Sequence, residues 1–216
     1  MVPARFVTEY PQRCLELIEL LEKAARQREL VGSFSLLAAA AVFVIPYERM
    51  KSKKHPLHKA ARDTDLFTAL KSLERQQFIR AEFWDENPPK DWRFSRVMAH
   101  PNDSTQWRDD EGHHPMSPAA KNSLPDRKAV DVLRVVRNAL AHGNIVYLNE
   151  KGFEQRDTRL QFLGFLSRYE EDEEQRKKAE TYRLVTATED EFLRFVKLWA
   201  KWVSRFRDDN RISEAA

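Results

Sequence analysis

Arg137, Asn138 and His142, with Arg134 one turn earlier, are the side chains whose types and spacing suit chemistry on a phosphodiester. An imidazole can give or take a proton near neutral pH, and a guanidinium can hold the charge that gathers on phosphorus under attack. On a helix, positions 134, 137, 138, 141 and 142 fall at i, i+3, i+4, i+7 and i+8 and share one face. Ala141 leaves room among the polar groups, and Gly143 is placed to end the helix in the left-handed conformation. Asn138 and His142 can touch, whereas Arg137 and His142 point about 140° apart. Cleaving RNA with its own 2′-hydroxyl needs a base for that hydroxyl, an acid for the leaving 5′-oxygen and a cation for the phosphorane. A single histidine offers one of the two proton-transfer roles. Two copies of the helix facing across a two-fold axis would supply two of each group, because an isologous interface brings equivalent residues together. The spacing therefore predicts a homodimer. A competing account needs no chemistry: arginines are favourable near a helix C-terminus, and His142 could simply cap the last carbonyls.

Other candidates carry less. Asp109, Asp110, Glu111, His113 and His114 could be drawn as metal ligands, but adjacent histidines lack the i, i+4 spacing of a helical site, so no metal is expected there. Cys14 is the only cysteine, which rules out an intrachain disulfide and fits a reducing cytoplasm. No Walker loop, dinucleotide fingerprint or serine nucleophile motif is present, so no cofactor is implied. Residues 49–62 hold no acidic side chain. Lys51, Lys53 and Lys54 in that run would serve either as a landing strip for RNA phosphates or as a solvated connector. Over the whole chain, 37 Lys and Arg nearly balance 34 Asp and Glu, and the net charge of +3 permits nucleic-acid binding through a local patch without requiring it.

The elements that must position the motif follow from periodicity. The 216 residues, 42% hydrophobic, suit one core and one domain over residues 1–207, with 208–216 a fraying tail. A helix over 11–28 turns Cys14, Leu17, Ile18, Leu21, Ala24 and Ala25 inward. After Gly32 comes a helix apolar almost all round, ending near Pro46; its apolar run of 12 residues (34–45) is short of the roughly 20 that span a bilayer, so it reads as the centre of a bundle and not a membrane segment. The N-terminus carries no signal-peptide pattern. A third helix follows a cap at Asp63 or Thr64, with Leu66, Phe67, Leu70 and Leu73 inward. Residues 84–124 read as a long irregular excursion, held down in part by Trp84, Trp92, Phe94 and Trp107. Ser123-Leu124-Pro125-Asp126 resembles a capped helix start for the motif helix, whose Ala129, Val130, Leu133, Val136 and Leu140 face inward. Short runs at 145–148, 160–166 and 182–186 predict a small antiparallel sheet within 144–187, with a charged loop at 169–178. Thr188-Glu189-Asp190-Glu191 is a capping box, and Phe192, Phe195, Val196, Trp199, Trp202, Val203 and Phe206 line one face of the last helix. The fold class is mainly α, with the sheet inserted between the motif helix and the C-terminal helix.

Arg137-Asn138-Ala139-Leu140-Ala141-His142 resembles the signature of the HEPN superfamily: an arginine, a polar residue, three variable residues and a histidine. The order of elements is similar to that of a plasmid-encoded branch of the superfamily over most of the chain. The resemblance implies a helical bundle that dimerises through its motif helices. It also implies a metal-independent endoribonuclease that leaves a 2′,3′-cyclic phosphate and acts as a toxin or antiviral effector, with an inhibitory antitoxin as partner in the toxin case. Carried over, Arg137 and His142 form the catalytic pair and Asn138 is the polar accessory. The basic run and the excursion lie outside the signature, so no role passes to them. The alternative is a non-catalytic HEPN-like module that binds RNA, nucleotide or a protein through the same face.

Overall fold

The computed structural model describes residues 6–51, 64–98, 102–154, 159–168 and 181–207. In chain order these form α1 (Phe6–Gln27), α2 (Val31–Ala39), a π turn (Ala40–Val44), α3 (Ile45–Lys51), α4 (Thr64–Arg75), β1 (Arg93–Val97), the motif helix α5 (Ala129–His142), β2 (Ile145–Leu148), β3 (Phe162–Arg168), β4 (Tyr182–Thr188) and α6 (Glu189–Ser204). The strands make one antiparallel sheet in the order β1-β4-β3-β2. The fold is mainly α, as the periodicity predicts.

α6 organises the core. Thr188 accepts a hydrogen bond from the Glu191 N–H at 3.3 Å, satisfying one of the free donors at the helix start. Its aromatic face then meets rings from the rest of the chain: Trp199 lies 5.0 Å from Phe43, Phe195 5.5 Å from Phe83, and Trp92 5.6 Å from Phe195, all near edge-on. Trp84, Trp92 and Phe94 belong to the stretch read as an irregular excursion. They are buried, and the stretch contributes β1, an edge strand that the local pattern does not predict. Short length and Pro, Asp and Asn on both sides hid that strand, because its hydrogen-bonding partner β4 lies far away in sequence.

Three further boundaries differ from expectation. α1 starts well before Pro11 and buries Val7, Pro11, Leu15, Ile18 and Ala25, while Leu17 and Leu21 face out. The helix carries two apolar stripes, and only the one that meets α6 and α2 is covered. The apolar helix does not stop near Pro46. It runs on through the π turn into α3, where Pro46 is the second residue. Proline lacks an N–H and crowds the carbonyl four residues back, so a wider turn just before it lets the helix continue. Val31–Met50 is thus one helical run, long and apolar enough to cross a membrane, yet half of it is buried inside the molecule, with Ala39, Val42 and Phe43 fully out of solvent. Finally, α5 does not start at Ser123. Residues 124–126 form a single 3-10 turn, the Ser123 hydroxyl bonds to the Phe94 carbonyl at 3.0 Å, and Lys128 bridges to Gln77 in extended conformation before the helix begins at Ala129. Pairing with the segment after α4 holds residues 127 and 128 out of the helix.

α5 lies between the two halves of the molecule, against α4 and the π turn on one side and β3 and β4 on the other. It therefore buries Val132 and Val135 as well as Ala129, Leu133, Val136 and Ala139, leaving a narrow strip for the motif.

Candidate functional site

α5 ends as its sequence dictates. Gly143 takes φ +72°, and its N–H and that of Asn144 both bond to the Ala139 carbonyl, the latter at 2.9 Å. The Ala139 carbonyl is thus closed by backbone. His142 is exposed and makes no hydrogen bond or ion pair among the described residues, so it is not the cap of its own helix. An accessible imidazole held at a rigid helix end is free to meet an outside group.

The motif's other side chains diverge from it. Arg137 turns toward α3, where its Nε lies 3.1 Å from Glu48 Oε1. Asn138 turns the opposite way and donates from Nδ2 to the Ser167 hydroxyl on β3 at 3.0 Å. Ser167 is buried and sits across from Arg183 in the β3–β4 register. Arg134 reaches Asp131 at 3.6 Å, and the same carboxylate oxygen lies 4.0 Å from Nη1 of the buried Arg183. Beside Glu48, the buried Tyr47 hydroxyl donates to Glu74 Oε1 on α4 at 2.7 Å. Burial first, and the Glu74 carboxylate second, hold this phenol far above its ordinary range, while Arg137 and Arg134 pull weakly the other way. The strip from Arg134 to His142 is therefore bordered by α3 and α4 on one flank and by the sheet on the other.

A family model described as HEPN pEK499 p136 matches residues 1–210. The chain belongs to this HEPN family. No curated protein and no solved structure matches it. In this HEPN chain Arg137 and Asn138 are half-buried and His142 is exposed, and each makes different contacts: an acid, a hydroxyl and, for His142, no hydrogen bond or ion pair among the described residues. Lys53 and Lys54 lie outside the described residues, as do His55, His58 and the charged segment 169–178; Lys51 is the last residue of α3. The Asp109–His114 stretch is arranged as a turn, with Asp109 Oδ1 accepting from the N–H groups of Glu111 and His113 at 2.9 and 2.8 Å. Among the described residues no group of three His, Cys, Asp or Glu is disposed to hold a metal ion.

Three residues at the site gave no sequence signal as such. Glu48, Tyr47 and Ser167 reach it through packing of distant segments, and nothing local distinguishes them from other surface or strand residues. The one hint was the density of polar types directly after an all-apolar helix.

Proposed function

We propose that this protein is a metal-independent endoribonuclease that works as a homodimer, acting in the cytoplasm as a toxin or defence effector. The observation that carries the reading is the unbonded, exposed His142 at the closed end of the motif helix, five positions after an arginine whose Nε is already held. His142 serves as acid or base and Arg137 stabilises the phosphorane. Arg134 and Lys51, Lys53 and Lys54 contribute to drawing the RNA backbone toward the motif.

A second copy is needed on chemical grounds, since one histidine cannot both deprotonate the 2′-hydroxyl and protonate the leaving oxygen in one step. The surface beside the motif favours self-association. Leu37 is 72% exposed and Ile45 46% exposed, with the partly buried Ala41 between them at four-residue steps on one stripe that runs toward Glu48 and Arg137. An apolar row of this kind bordering a polar strip is the usual composition of a dimer interface.

The deciding experiment is cleavage of a defined RNA by purified protein in excess chelator. We expect cleavage with 2′,3′-cyclic phosphate ends, lowered about 100-fold or more by His142→Ala or by Arg137→Ala. Unchanged turnover in both variants, with the fold intact by circular dichroism, would reject it. RNA binding without turnover in the wild type would instead support a binding module.

A further inference from the structure

We propose that Glu48 is the positioning residue for Arg137: its carboxylate takes the Nε side of the guanidinium and leaves the two Nη groups to face a phosphate. The catalytic readout of this inference rests on the ribonuclease reading above. Nε and Oε1, 3.1 Å apart, are both withdrawn from solvent, although the side chains are 28% and 43% exposed. Neither atom makes a hydrogen bond among the described residues, so their mutual attraction is what offsets the desolvation of both. The Nη groups make no hydrogen bond among the described residues. A guanidinium so held is anchored on one edge and open on the other, which suits a group that must receive two phosphate oxygens in a fixed plane.

The helix carrying Glu48 is built to hold this aim. A π turn inserts one extra residue, which rotates everything after it by about 100° relative to a regular helix. With that insertion Tyr47 meets Glu74 on α4 and Glu48 meets Arg137 on α5. Two consecutive residues fastened to two different helices stop α3 from rolling about its axis. Pro46, in the first turn of α3, makes a return to the regular pattern unfavourable. Glu48 could instead be read as a block that neutralises Arg137 until RNA arrives, and the two roles differ in sign.

The test is a mutant cycle on RNA cleavage: wild type, Glu48→Gln, Glu48→Ala, Arg137→Ala and the double Glu48→Ala/Arg137→Ala variant. Positioning predicts that Glu48→Gln lowers kcat about 10- to 100-fold with KM within about twofold. It also predicts that Glu48→Ala adds no further loss to Arg137→Ala. Wild-type or faster cleavage by Glu48→Ala, or losses that multiply in the double variant, would overturn it. A second readout needs no activity: the Nε–Hε resonance of Arg137 in nitrogen-15 spectra, assigned by its loss in Arg137→Ala. We expect a slowly exchanging, displaced signal in the wild type that collapses to the solvent-averaged position in Glu48→Gln. A wild-type signal already at that averaged position overturns the proposal, whether or not RNA is cut. If the resonance responds to Glu48 but no RNA is cleaved, the positioning stands and the nuclease reading falls.

Discussion

Asn138 directs its amide to the sheet. The sequence places it four residues from His142, close enough to orient the imidazole, but the structure gives its Nδ2 to Ser167. The two residues thus differ in what a substitution measures. Asn138→Ala removes one hydrogen bond and leaves the buried Ser167 hydroxyl without that partner, so the unfolding free energy should fall by about 1–2 kcal/mol in urea titration. His142→Ala, on an exposed side chain, should leave stability within about 0.5 kcal/mol of wild type while lowering RNA cleavage about 100-fold or more. Equal stability losses in both would mean that Asn138 is not held by the sheet. At this scale the sequence was informative about identity and silent about partners. Arg137 and His142 could be named from local spacing, because a helix fixes the relation of positions 137 and 142. Glu48 and Ser167 could not, because their approach is set by how α3 and β3 pack against α5.

The legible elements are those whose ends and faces are both written locally. α6 has its capping residue, its acidic first turn and a strong aromatic stripe, and it forms where the sequence places it. The end of α5 is equally local. Gly143 adopts φ +72°, and a Cβ built there meets nothing within 4 Å, so Gly143→Ala should cost about 1 kcal/mol from backbone conformation alone, with Gly143→Asn costing less. Chemical denaturation of the three proteins measures this, and a neutral Gly143→Ala would show that the helix end frays without consequence. β1 and the π turn were not legible for opposite reasons. β1 depends on a remote partner strand, while the π turn lies inside an all-apolar segment whose pattern does not change when one residue is inserted. Ser123-Leu124-Pro125-Asp126 has the chemistry of a helix start, but the neighbouring backbone draws Arg127 and Lys128 into a bridge instead; the Phe78 N–H donates to the Arg127 carbonyl at 2.8 Å.

For the whole molecule, the relation that matters is between one chain and two. Leu37 and Ile45 lie on the run from Val31 to Met50, half of whose surface is covered within the chain. Leu37→Asp should leave circular dichroism unchanged, shift the species seen by light scattering from dimer to monomer, and lower cleavage in proportion to the dimer lost. A monomeric variant with full activity would remove the need for a second copy. Cleavage by the wild type should likewise fall more steeply than linearly on dilution below the dimer dissociation constant. One feature of the sheet bears on when such a site first exists. Among the described residues β1 pairs only with β4, and α5 rests on β3 and β4, so the motif helix leaves the ribosome well before the strands that support it. The rings of α6 that close the core come later still. Because a domain settles as a unit and non-local strand pairing is slow, the nascent chain carries Arg137 and His142 without the framework that aims them. On the ribonuclease reading proposed above, the translating ribosome, itself made largely of RNA, would by this order of assembly not meet a finished site on the chain it is making.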